Sequence, residues 1–140
     1  MADLLPNWIS TVLEPTPGIG NLVHAIQNRG ALVYAPEDDF WTMRHDIKYD
    51  AVVMNPPFTP MQEGYRYLQA CMELSDRVIA LLPWFVIINS ERRLRDIKSF
   101  GLVSVTHLPR KTFPGTRIQC CVLEMNRNYA GDITFKDFNF

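Results

Sequence analysis

Two short segments hold residue types whose spacing suits chemistry. The first is Asn55-Pro56-Pro57-Phe58. Consecutive prolines delete two backbone N–H donors and fix φ, leaving a rigid turn that presents carbonyl acceptors. Asn55 adds a side-chain carbonyl beside them. Phe58 offers a flat apolar face. A planar amino group needs this kind of reception. Its lone pair is delocalised, so it is a poor nucleophile. Two acceptors that take its hydrogens draw it toward a tetrahedral form and aim the lone pair at an incoming electrophile.

The second segment is Glu14-Pro15-Thr16-Pro17-Gly18-Ile19-Gly20. Glycines in such a turn permit positive φ and leave no Cβ between backbone and ligand. The spacing is not the full dinucleotide fingerprint, because Val23 stands where a third glycine belongs. Glu14, at the end of an apolar run, points to a bound cation or ammonium group. That suits a sulfonium amino acid better than a pyrophosphate.

These turns need elements to hold them. Ser10–Leu13 is predicted as a strand, Asn21–Arg29 as a helix stopped by Gly30, and Ala31–Ala35 and Ala51–Met54 as further strands. The last two are near-continuously apolar, as strands covered on both faces should be. Met61, Tyr65, Leu68 and Met72 recur on one face of a helix after Pro60. Arg77–Leu82 is another buried-type strand. Ser90 is the expected cap of a charged helix running to Phe100 and ended by Gly101. Leu102–Leu108 and Ile118–Met125 complete the pattern as two strands joined by a loop. Alternation of strand and helix, closed by a hairpin, predicts an α/β domain with a mostly parallel sheet. Ligands of such sheets sit at the carboxyl ends of strands, so the turns after Leu13, Ala35, Met54 and Leu82 are the places to look.

A chain of 140 residues fits one domain, 1–140, with a sizeable core. Apolar residues make up 47% and charged residues 21%, the balance of an ordinary globular protein rather than a disordered or membrane chain. The longest apolar run, Val78–Ile88, contains a proline and is too short to span a bilayer. No signal peptide is evident at the N-terminus. Cys71, Cys120 and Cys121 are odd in number and lack metal-ligand spacing, and His24, His45 and His107 are scattered. No metal is therefore expected, and a reducing cytoplasm is the expected setting. Net charge is −1 but unevenly spread. Residues 1–76 hold ten acids against four Lys and Arg, and residues 77–140 hold ten Lys and Arg against five acids. Such polarity fits an anionic partner on one side, or else a set of solvated charges.

Taken together, Glu14–Gly20 and Asn55–Phe58 resemble the motifs of the amino-methyltransferases, above all the adenine-N6 DNA methyltransferases whose cofactor motif precedes the catalytic one. The likeness runs from about Val12 to Met125. It implies a Rossmann-like methyltransferase domain that binds S-adenosyl-L-methionine. Glu14, Pro15, Thr16, Gly18 and Gly20 then belong to the cofactor site. Asp39-Phe40 resembles the acidic-aromatic pair at the cofactor adenine. Asn55 and the Pro56 carbonyl correspond to the groups that bind the target amine, with Pro57 in the same catalytic turn and Phe58 stacking on the base. Pro83-Trp84-Phe85 and Phe113-Pro114-Gly115-Thr116 look like later motifs of the family.

The family places an acid for the cofactor ribose after its second strand, then a helix and a strand, before the acidic-aromatic pair. Here Ala31–Ala35 runs straight into Pro36-Glu37-Asp38-Asp39-Phe40, so the domain is shortened by one strand–helix unit and Glu37 is left as the ribose candidate. The resemblance implies methyl transfer to adenine N6 in DNA, with Arg110, Lys111 and Arg117 on the nucleic acid and Phe113 on the second face of an extruded base. The same motif also occurs in methyltransferases of RNA guanine N2 or of a protein glutamine amide. A catalytically inert binding subunit is the further alternative. No region for reading DNA sequence is present, which points to a separate specificity subunit as partner.

Overall fold

The computed structural model describes residues 1–138, and they form one seven-stranded sheet between helices. Its strands are β1 (Thr11–Leu13), β2 (Leu32–Tyr34), β3 (Ala51–Met54), β4 (Arg77–Pro83), β5 (Leu102–Leu108), β6 (Cys120–Asn126) and β7 (Thr134–Asp137). The helices are α1 (Asn21–Gln27), α2 (Met61–Leu74), a single turn α3 (Phe85–Ile88) and α4 (Glu91–Phe100). Strand order is β2-β1-β3-β4-β6-β5-β7. β2, β1, β3 and β4 pair in parallel, β6 lies antiparallel between β4 and β5, and β7 adds a parallel strand outside β5. This is the expected α/β architecture, mostly parallel and closed by an antiparallel hairpin strand. Among the described residues no helix is long and apolar enough to cross a membrane.

Alternation along the strands sorts the core into two layers, because successive side chains point to opposite faces. Leu13, Val52, Met54, Val78, Ala80 and Leu82 face α2 and α4, meeting Leu68, Cys71 and Ile97. Val12, Ala51, Val53, Ile79 and Leu81 face the other way, onto Ile26 of α1 and the N-terminal Ala2 and Leu5. All three cysteines are free and buried.

Local signals end the helices as expected. The Ser90 hydroxyl accepts from Arg93 N at 3.3 Å. Gly101 has φ +138°, and a Cβ there would run into the Asn126 carbonyl. Gly30 has φ +88° after α1.

Two expectations need correction, and two elements were not expected. β2 is an edge strand with Leu32 59% exposed, not a strand covered on both faces. No further strand–helix unit follows it to cover that edge. Met61 is 41% exposed at the start of α2, and the buried face is carried by Gly64, Leu68, Cys71 and Met72. α3 and β7 escaped the sequence reading. α3 is too short for a period to show. β7 reads Thr-Phe-Lys-Asp and gains its place only by pairing with β5.

Candidate active site

The ends of β1 and β3 lie side by side, since Leu13 pairs with Val52 in the parallel register. The two chemistry-bearing turns therefore leave the same edge of the sheet together. Between them and the β2 exit lies a cleft of about 470 Å3, a volume within the range of small-molecule sites. Its walls include Pro15, Thr16, Gly18, Glu37, Asp39 and Asn55. Phe40, Pro57 and Tyr67 complete its apolar lining.

In the glycine turn, Gly18 has φ +52° and Gly20 φ +89°, so both use the left-handed region that favours glycine. Gly18 faces the cleft, and a Cβ there would touch nothing within 4 Å. Gly20 instead caps α1. Glu14 is 1% exposed. One of its oxygens, Oε1, accepts from Thr16 N at 2.8 Å and from Thr16 Oγ1 at 3.3 Å. The other accepts no hydrogen bond among the described residues. Burial pushes the Glu14 carboxyl up to about 7, against the opposing pull of the Thr16 bonds. A carboxylate held this way gains most from a cationic partner, which would offset the cost of its charge.

In the proline turn, Asn55 is exposed and its side chain makes no hydrogen bond among the described residues. Its backbone carbonyl accepts from Thr16 Oγ1 at 3.0 Å, so one hydroxyl joins the two turns. Pro56 is buried and Pro57 exposed. Gly64 of α2 packs beneath them, and a Cβ there would stand 3.3 Å from the Pro57 carbonyl. The helix approaches the turn closely because this position has no side chain. Phe58 is half-buried against the α1-side core and is not on the cleft wall.

Beyond β2, Glu37 and Asp39 are exposed on the rim. Asp39 caps a short 3-10 turn by accepting from Trp41 N at 3.1 Å. Phe40 is buried, with Trp41 and Tyr67 against it at ring separations of 4.9 and 5.4 Å.

Arg110, Lys111 and Arg117 are exposed on the β5–β6 loop, which leaves the same sheet edge as the two turns. Phe113 is 36% exposed and lines a different, apolar cavity of about 300 Å3, with Leu4, Leu81, Leu108 and Val122. The structure therefore gathers Pro15, Thr16, Gly18, Glu37, Asp39, Phe40, Asn55 and Pro57 around one cleft and leaves Glu14, Gly20, Pro56, Phe58 and Phe113 off its walls. Tyr67 escaped the sequence reading. It sits off the apolar stripe of α2, and only the nearby β2 exit turns that position into a wall. Among the described residues no cluster of His, Cys, Asp or Glu could hold a metal ion.

No family model matches the sequence, and no curated protein matches it. Solved structures do. A type I restriction-modification methyltransferase subunit from Streptococcus thermophilus superposes with TM-score 0.74 at 16% identity, over 97% of this chain and 44% of that one. A Listeria monocytogenes protein assigned to the class I S-adenosylmethionine-dependent methyltransferases gives 0.71 at 10% identity, over 92% and 58%. The 1,6-didemethyltoxoflavin-N1-methyltransferase of Burkholderia thailandensis, solved with S-adenosylhomocysteine, gives 0.61 at 15% identity, over 85% and 71%. The fold is that of the Rossmann-like methyltransferases. The chain spans about half the length of the first two of these structures.

Proposed function

We propose that this chain is a methyltransferase domain that binds S-adenosyl-L-methionine and transfers its methyl group to the exocyclic N6 amine of adenine in DNA. The observation that carries the reading is Asn55. Its side chain stands exposed and unpartnered at the end of β3, on a cleft whose other wall is the glycine turn. The cleft fits the cofactor by the chemistry of its walls. Glu14 is buried behind Thr16 rather than on the wall, with one oxygen to spare for an ammonium group that reaches it, and Gly18 leaves room for close backbone approach. Glu37 and Asp39 supply acceptors for ribose and adenine, and Phe40 and Tyr67 supply apolar surface.

When bound, S-adenosylmethionine supplies an electrophilic methyl on a sulfonium. The chain's part is reception of the amine. Asn55 Oδ1 and the Pro56 carbonyl accept its two hydrogens and orient its lone pair, and the proton lost from nitrogen leaves to solvent. Arg110, Lys111 and Arg117 are assigned to the phosphates, and Phe58 and Phe113, which stand off the cofactor cleft, to a base held outside that cleft. The Streptococcus thermophilus neighbour supports the DNA substrate and a separate specificity subunit as partner, because it is itself a subunit of a restriction-modification system. The open β2 edge favours a second reading, an inert binding subunit with a weakened cofactor site.

Expression in a methylation-deficient bacterial host, followed by mass spectrometry of nucleosides and protein, tests the proposal. N6-methyladenine in DNA is expected. N2-methylguanine in RNA or methylglutamine in protein would move the substrate. Absence of every product, with no calorimetric binding of S-adenosylhomocysteine, would overturn the enzyme reading.

A further inference from the structure

We infer that Thr16 is a positioning residue whose hydroxyl couples occupancy of the cofactor cleft to the orientation of the Asn-Pro-Pro turn. The inference rests on the proposed function and adds a link between its two sites.

The turn has few other means of support on its β1 side. The β1–β3 ladder ends at Leu13 and Val52, so Met54 and Asn55 extend past it. Pro56 and Pro57 have no N–H to donate. Among the described residues the Thr16 hydroxyl makes the hydrogen bond that holds the Asn55 carbonyl, at 3.0 Å. Turning that carbonyl turns the peptide that precedes Pro56, and with it the acceptors that receive the amine.

That hydroxyl has one hydrogen and two acceptors in reach. Asn55 O lies at 3.0 Å and Glu14 Oε1 at 3.3 Å. An anionic Glu14 competes for the hydrogen. A cationic group bound beside Glu14 withdraws negative charge from Oε1 and leaves the hydrogen to the Asn55 carbonyl. Filling the cofactor cleft thus stiffens the amine-receiving turn, and by linkage filling the turn tightens the cleft.

A second clamp provides the control. At the opposite end of the same strand pair, Asp50 Oδ2 accepts from Ser10 N and Thr11 N, and Thr11 Oγ1 accepts from Asp50 N at 3.1 Å. It joins β1 to β3 far from the cleft. Losing Thr11's hydroxyl therefore weakens the strand pair without touching either turn.

The test is a calorimetric cycle with S-adenosylhomocysteine and an adenine-bearing single-stranded oligonucleotide. Each is titrated alone and in the presence of the other, on wild type, Thr16→Val, Thr16→Ser and Thr11→Val. Wild type, T16S and T11V are expected to bind each ligand at least about five-fold tighter when the other is present, within the usual span of coupling energies. In T16V the mutual effect is expected to fall below about two-fold, whatever the affinity of each ligand bound alone. Coupling retained in T16V, or lost equally in T11V, overturns the inference and leaves the proposed function standing. Coupling absent from wild type, with both ligands bound, also overturns it. Failure of wild type to bind S-adenosylhomocysteine removes the proposed function, and the inference with it.

Discussion

The β2 flank of the sheet and the β4–β6–β5 flank are held together by different means. On the first, β1 meets β2 over three residue pairs and β3 over two, and the outermost strand leaves Leu32 open to solvent. On the second, β4 and β6 pair over seven residues, and Ile79, Leu123 and Met125 are fully buried. Both chemistry-bearing turns leave the thin flank, where side chains such as Thr16 and Asp50 do the joining that a longer ladder does elsewhere. The thick flank supplies the rigid scaffold, and the thin one supplies polar groups not already committed to the fold. Regions that must bind and release ligands belong to the less stable part of a structure.

The largest expected effect is on stability. Leu123→Ala should cost about 2 to 5 kcal/mol, the range for a fully buried leucine, whereas Leu32→Ala should stay within about 0.5 kcal/mol. Urea denaturation of both variants checks this, and equal losses would erase the contrast between flanks.

Asn55→Ala sharpens the contrast from the other side. It should lose about 2 to 4 kcal/mol of transition-state stabilisation in kcat/KM, the scale for removing one preorganised hydrogen-bonding group. The melting temperature should hardly move, because the side chain is exposed and unpartnered. Activity above about a tenth of wild type would move the chemistry elsewhere.

Glu14 makes the thin flank sensitive to pH. Its folded-state pKa of about 7 lies above its ordinary value of 4.5. Between those limits the folded chain holds a proton that the unfolded chain has lost, so stability falls as pH rises from about 4.5 to about 7. The total is about 3 kcal/mol, taking 1.36 kcal/mol per pKa unit. Glu14→Gln should flatten that slope, and denaturation midpoints measured at pH 5 and pH 8 decide it. An unchanged slope would place the titration elsewhere.

Asp39→Ala should weaken S-adenosylhomocysteine binding more than it slows turnover at saturating cofactor. Because Asp39 also caps its turn, about 1 kcal/mol of stability should go with it. An unchanged dissociation constant would leave Asp39 as a turn residue alone.

The smallest effect belongs to the basic loop of the thick flank. Neutralising Arg110, Lys111 and Arg117 together should reduce the log–log salt slope of DNA binding by roughly one for each phosphate that is no longer neutralised. No change in slope would turn that loop toward a protein partner.

The sequence by itself determined the order of the strands and of the three longer helices from β1 to β6, because apolar runs, helical spacing, Ser90 and Gly101 all act within a few residues of one another. It also singled out the two turns, whose glycines and prolines constrain the backbone wherever they stand. Tertiary structure decided what those turns face. Parallel pairing of β1 with β3 joins residues about forty positions apart, and it alone brings Thr16 to the Asn55 carbonyl. Glu14, read as a group that meets a ligand, is buried and anchored through one oxygen by Thr16 N, and it is the packing of that turn that leaves the other oxygen uncommitted. Phe58 and Phe113 face the α1 side of the sheet because strand alternation and loop packing, not residue type, set the face each occupies. β2 is apolar enough to be covered, yet it lies at an edge, since covering it requires a strand that no local pattern in β2 can supply.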